Sequence, residues 1–272
     1  MRRPARSGPI LLLAILAAVF APEAGARKKK DEPPAPPDQV FRLAQEKIRK
    51  KRYYSARILL QELLPRIPPD DRDLMPRVQI AIADSFFKDR GFLNYGEALN
   101  AYRNFLTYYP QHEEAARAQY MVGLSLFQQA LSPDRDQATT LKAIEEFRKL
   151  ETVYPGSPFV ADARARIREA EDRLAEHERL IGAFYQKRKA WLAAIDRYRR
   201  ILNDYPHYRG ANQVLFDLGR CLLAVGSRPD AEDAFARLQQ AAPGDKLSEK
   251  ARELLTDYDR EQAKRVGKDS RS

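Results

Sequence analysis

The three histidines of this 272-residue chain, His112, His177 and His207, stand far apart, and none has the spacing that brings two imidazoles onto one metal ion. No H-E-x-x-H, G-x-S-x-G, Walker-type phosphate loop or dinucleotide G-x-G-x-x-G run occurs. Zinc hydrolysis, acyl transfer and nucleotide chemistry therefore lack their usual footholds. The carboxylates are interleaved with basic residues, the pattern of solvated helix faces rather than of an acid/base pair. Cys221, the only cysteine, sits beside Leu222 and Leu223 and reads as a small buried hydrophobe; alone, it forms no intramolecular disulfide. No cofactor and no catalysis are expected.

The chemistry that remains is recognition. Three sets of residues recur at one spacing: Phe41, Gln45, Ile48 and Arg49; Ile80, Asp84, Phe87 and Lys88; and Tyr120, Leu124, Phe127 and Gln128. On stacked helical hairpins these positions face the concave side. Their apolar members offer pockets for alternate side chains of an extended peptide, while Arg49 or Lys88 can meet a carboxylate. The same aromatics also suit ordinary packing between repeats. His177 reads as a packed or partner-facing ring.

The elements that position these residues are marked by alanine followed twelve residues later by proline: Ala56/Pro68, Ala98/Pro110, Ala143/Pro155, Ala194/Pro206 and Ala231/Pro243. Four residues after each alanine comes Leu60, Tyr102, Phe147, Tyr198 or Phe235, and three further on Leu63, Phe105, Leu150, Ile201 or Leu238. Offsets of four and seven share a helical face, and proline ends the helix. Small residues before the alanines (Ala44, Ala83, Gly123, Gly182, Gly219) mark a preceding helix packed closely on this one. The pattern is that of tetratricopeptide repeats. It predicts an all-α solenoid of five helical hairpins.

Repeats two and three carry extra residues, both sets expected in the turn within the hairpin. The second, around Ser132, Pro133 and Asp134, should project as a surface loop or a partner-contacting one. From Pro158 to about Arg188 no breaker intervenes, and Val160, Ala163, Ile167, Ala170, Leu174, His177, Ile181 and Phe184 form one seam, so a single long helix should connect the two groups of repeats into a rod. Past Pro243, Leu247, Ala251, Leu254, Leu255 and Tyr258 make a capping helix. The expected domains are residues 38–157 for repeats one to three, 158–245 for the long helix and repeats four and five, and 246–272 for the cap with a disordered basic tail after about Lys264.

The amino terminus has Arg2, Arg3 and Arg6, eleven apolar residues from Ile10 to Phe20, and the small-residue site Ala24-Gly25-Ala26. Eleven apolar residues fall short of the roughly 20 that span a bilayer, so residues 1–26 read as a signal peptide. Residues 27–37, basic and then proline-rich, read as an extended tether. The net charge is +10, and removing the leader leaves a basic chain. Export argues against nucleic acid as a partner and points the charge toward anionic lipid or acidic protein surfaces.

In Gln119-Tyr120-Met121-Val122-Gly123-Leu124, Asp134-Arg135-Asp136, Tyr154-Pro155-Gly156-Ser157, Asp172-Arg173-Leu174-Ala175, Lys189-Ala190-Trp191 and Asp204-Tyr205-Pro206, the sequence resembles the BamD family of outer-membrane β-barrel assembly factors. The resemblance covers about residues 38–243. It implies a periplasmic place at the inner face of the outer membrane, within the β-barrel assembly machinery. There the first repeats receive unfolded outer-membrane proteins, the last repeats dock a POTRA domain of a BamA-like barrel, and other machinery subunits join. Arg197 matches an arginine associated with that docking, and one position before Tyr198 it should face outward to an acidic patch. Family members are usually lipoproteins, whereas no cysteine precedes Cys221. A mature chain beginning near Arg27 without lipid is therefore expected, associated with the membrane through its partners. The competing expectation is a soluble periplasmic scaffold coordinating cell-wall synthesis with a Tol-Pal system.

Overall fold

The computed structural model describes residues 34–269, which fall almost wholly in one compact unit, Pro36–Ser272. The leader and most of the tether expected from the sequence lie outside the described residues. Eleven α-helices occur among the described residues, and no strand. They pair as α1 (Pro37–Arg49) with α2 (Tyr53–Leu63), α3 (Leu74–Asp89) with α4 (Phe92–Tyr108), α5 (Ala115–Gln129) with α6 (Ala138–Val153), α7 (Val160–Lys187) with α8 (Trp191–Asp204), and α9 (Ala211–Ala224) with α10 (Arg228–Ala241). The last helix, α11 (Lys246–Asp269), packs on α9 and α10.

The alanine-to-proline rule explains where the second helices stop. Four of them end two residues before their proline, and the residue between leaves the helical region with ψ of 54–70°, as at Tyr109, Tyr154, Tyr205 and Ala242. The proline ring disfavours a helical conformation at its predecessor. In the first hairpin α2 stops earlier because Pro65 intervenes, and Leu64–Arg66 forms a short 3-10 turn.

Each hairpin is clamped by a small residue against a large one. A Cβ built on Gly123 would lie 2.6 Å from the Phe147 ring, and one on Gly182 would lie 2.6 Å from the Tyr198 ring. Phe147 and Tyr198 are fully buried, as are Leu60 and Tyr102 at the same register. A large side chain buried in this way contributes roughly 1.5–3 kcal/mol.

The core runs in three clusters: α1, α2 and the start of α3; the second and third hairpins with the first half of α7; and the second half of α7 through to α11. Leu174 belongs to the middle cluster and Ala175 to the last, so α7 bridges the two. Its 28 residues make a helix of about 42 Å. It begins two residues later than Pro158, although the Ser157 hydroxyl accepts from the Phe159 amide at 3.2 Å.

Two expectations are corrected. The extra residues of the second repeat are not in its turn, which is only Arg90 and Gly91; they lengthen α4 by a turn carrying Phe92 and Leu93. The loop at 130–137 does not project freely: Gln137 donates to the Ser132 and Arg135 carbonyls, and the His177 ring of α7 meets the Pro133 carbonyl at 2.6 Å. The capping helix α11 runs past Lys264 to Asp269.

Among the described residues, three other than glycine take positive φ: Lys51 (56°), Arg90 (62°) and Lys189 (59°). All three lie in turns within hairpins. Arg90, at ψ 177°, occupies a region that glycine alone normally visits. Such backbone costs about 1–3 kcal/mol per residue.

Candidate functional site

The first helices of the first two hairpins frame a cavity of about 520 Å³, closed at one end by the approach to α5. From α1 come Phe41, Gln45, Ile48 and Arg49, and from α3 come Arg77, Ile80, Ala81, Asp84 and Lys88. His112, Glu113, Glu114 and Arg117 complete the wall. The apolar floor of Phe41, Ile48 and Ile80 follows from helical spacing, since these positions turn one face of each helix inward.

One carboxylate organises the polar wall. Asp84 accepts from the Tyr102 hydroxyl at 2.6 Å and from Arg117 at 3.0 and 3.2 Å. Burial, then the charge of Asp84, raises the Tyr102 phenol well above its ordinary value, so it remains a neutral donor. Burial opposes the charge on Arg117, but Asp84 and then Glu114 outweigh it and hold the guanidinium protonated. Glu114 is itself fixed at the start of α5, where its amide donates to His112 Nδ1 at 3.1 Å. Arg77 lies over the Phe41 ring, 5.0 Å from its centroid, and pairs with Asp73 at 3.1 Å.

Two cations remain for a ligand. No ion pair within 4 Å among the described residues involves Arg49, and Lys88 reaches Asp84 only at 3.9 Å. The cavity thus joins an apolar floor to an exposed cationic rim. It can hold alternate apolar side chains and an anionic group, and its lining presents no activated nucleophile.

Of the residues expected from the sequence, Phe41, Arg49, Asp84 and Lys88 come together here, Asp84 as the wall's internal partner rather than a free acceptor. Phe87 does not join them; it is half-buried and packs on Tyr95, with ring centroids 5.3 Å apart. Tyr120 and Phe127 are buried and lie outside the cavity. The long helix is the reason: Tyr120 stacks on Phe159 at 5.5 Å just before α7, and Arg173 of α7 sits 3.9 Å above the Phe127 ring. Leu124 packs against the middle core cluster. The cavity thus lies between the first two hairpins and the start of the third, while Tyr120, Leu124 and Phe127 lie outside it. Arg77 and Arg117 were missed, though each stands six residues before Ala83 or Gly123, one turn beyond the positions counted.

Arg197 is half-buried and paired within the chain. It donates to Glu178 of α7 at 2.8 Å, and Arg200 approaches the same carboxylate at 3.9 Å. The hydrogen bond to Glu178 raises the Arg197 guanidinium further despite some burial. Cys221 is fully buried, and burial pushes its thiol up to about 12. Among the described residues, no group of three or more metal-ligating side chains occurs and no helix is long and apolar enough to cross a membrane.

Residues 33–238 match the family model YfiO, described as an outer membrane lipoprotein. The chain is similar to the protein named outer membrane protein assembly factor BamD of Caulobacter vibrioides, 32% identical over 163 residues. That match covers 60% of this chain and 53% of the relative, about half its length. The like-named protein of Xylella fastidiosa strain Temecula1 is 25% identical over 256 residues, covering 89% of this chain and 86% of that one. Among solved structures, the TPR2AB domain of yeast Sti1 in complex with pHSP90 aligns at a TM-score of 0.43 and 13% identity, covering 84% of this chain and 86% of that one.

Proposed function

The chain belongs to the YfiO family of outer membrane lipoproteins, and from that membership we propose that it is a non-catalytic outer-membrane protein assembly factor, as its relatives are named. In this reading the first two hairpins receive extended segments of unfolded outer-membrane proteins. The α7–α8 face docks a POTRA domain of a BamA-like barrel at the periplasmic side of the outer membrane, alongside other subunits of the machinery.

The observation that carries the reading is the cavity itself, with Phe41, Ile48 and Ile80 on its floor and Arg49 and Lys88 exposed at its rim. A floor of this kind takes the alternate apolar side chains of a β-strand held extended, and the rim takes a terminal carboxylate. Arg197 serves docking while paired: Glu178 ties α8 to α7, and the Arg197 side chain stays 28% exposed toward an acidic partner.

Crosslinking in intact envelopes, from a photoreactive residue at Gln45 and another at Arg200, tests both halves. Recovery of unfolded outer-membrane proteins from the first and a barrel protein from the second is expected. Recovery of Tol-Pal or cell-wall enzymes without any barrel would replace this reading with the periplasmic scaffold.

A further inference from the structure

We propose that the turn edge of the first two hairpins is a docking surface for an anionic phospholipid membrane. Two neighbouring turns build it, that of residues 50–52 and that of residues 90–91. They form one patch, because Arg57 of α2 lies over the Tyr54 and Phe86 rings and donates to Asp89 at 2.6 Å, tying the start of α2 to the end of α3.

Three large apolar side chains stand out from this edge: Tyr54, 70% exposed, Phe92, 65%, and Leu93, 81%. Beside them are Lys50, Lys51 and Arg52 in one turn and Arg90 in the other. The nearby acids are engaged, Glu46 by Lys50 at 2.5 Å and Asp89 by Arg57, so the patch keeps a positive surplus. Exposed aromatic and aliphatic side chains among lysines and arginines match the interfacial zone of a bilayer, where rings and leucines sink to headgroup depth and cations meet phosphate.

Backbone geometry shows that the cations are not incidental to the turns. Lys51 and Arg90 hold positive φ, where the fifth hairpin uses Gly226 at 85°. Glycine would relieve that strain, yet both turns carry a basic side chain. The fourth hairpin repeats the arrangement: Lys189 has φ 59°, beside Arg188 and a 74% exposed Leu192. The lengthening of α4 adds Phe92 and Leu93 to the same edge. Side chains standing out from turn apices suit insertion between lipid headgroups better than the filling of a fitted protein pocket.

The test is co-sedimentation of the protein, purified from envelopes, with vesicles of phosphatidylcholine alone or with about 30% phosphatidylglycerol. At low salt the wild type should bind the anionic vesicles far better, and salt should weaken the binding. Lys51→Gly with Arg90→Gly should lower anionic-vesicle binding about 30-fold, roughly fivefold per basic residue, while the melting temperature holds or rises. Phe92→Ser with Leu93→Ser should also weaken it. All variants share one amino terminus, so any binding by residues 27–30 is common to them. Equal binding to both vesicle types, or vesicle binding unchanged by both pairs of substitutions, overturns the proposal. A wild type that ignores anionic vesicles also overturns it and leaves the edge to an acidic protein.

Discussion

Arg117 of α5 donates two hydrogen bonds to Asp84 of α3, at 3.0 and 3.2 Å, on the same carboxylate that receives the Tyr102 hydroxyl of α4. Three helices of two hairpins thus converge on one half-buried acid. Removing it strands a charged donor and a buried phenol together. Asp84→Ala should cost about 2–4 kcal/mol, read as a lower midpoint in urea unfolding. A loss within about 0.5 kcal/mol, the ordinary surface range, would show that the network does not hold the cavity wall.

Gly123 supplies a prediction whose sign discriminates. In an open helix interior, alanine for glycine stabilises by roughly 0.8–1.0 kcal/mol. Here the new Cβ would meet the fully buried Phe147 ring at 2.6 Å. Gly123→Ala should therefore destabilise, by about 1–3 kcal/mol for overpacking. Thermal melting checks it, and a higher melting temperature would contradict the close clamp.

The Arg197–Glu178 pair makes docking and stability separable. Arg197 is 28% exposed on its side chain, so the pair is partly screened, and Arg197→Glu should cost about 1–2 kcal/mol from facing Glu178 alone. Exchanging both residues, Arg197→Glu with Glu178→Arg, should restore most of that stability. If Arg197 also meets an acidic POTRA surface, the exchanged protein stays weak in POTRA binding while folded like wild type. Full recovery of affinity would reduce Arg197 to a brace between α7 and α8.

Acid should loosen the third hairpin through Glu146. Burial pushes this carboxyl up, but hydrogen bonds from Gln119 and Arg103 outweigh it and hold it below the ordinary value. A carboxyl depressed on folding contributes stability that is fully present above its unfolded value, about 4.3, and lost as pH falls through the folded one. Stability measured from pH 6 downward should fall in that window, less steeply in Glu146→Gln. Parallel curves for the two proteins would rule the group out.

The hairpins were legible because their signals are local. The small residue, the large one facing it and the terminating proline sit within about one repeat. The same register placed Phe41, Ile48, Arg49, Ile80, Asp84 and Lys88 at the cavity, since helical offsets alone fix a face. It failed at Tyr120 and Phe127 because what covers them, Phe159 and Arg173, comes from a later element whose path no local period reveals. The Arg197–Glu178 pair was hidden for the same reason, Glu178 lying a helix away. The lengthened α4 was hidden because extra residues in a hairpin extend a helix or a turn equally well by spacing.

The central claim is that the cavity between α1 and α3 holds an extended, anionic-ended strand of an unfolded outer-membrane protein. Its most direct measurement is the titration of a labelled carboxy-terminal strand peptide against wild type and Arg49→Glu with Lys88→Glu. Both residues are exposed, so the fold should survive, as circular dichroism can verify. Reversal of two rim charges should weaken binding at least tenfold, about 1.4 kcal/mol, and amidation of the peptide's carboxylate should produce a loss of similar kind in wild type only. Equal affinity of wild type and the reversed protein for the free-acid peptide would contradict the account.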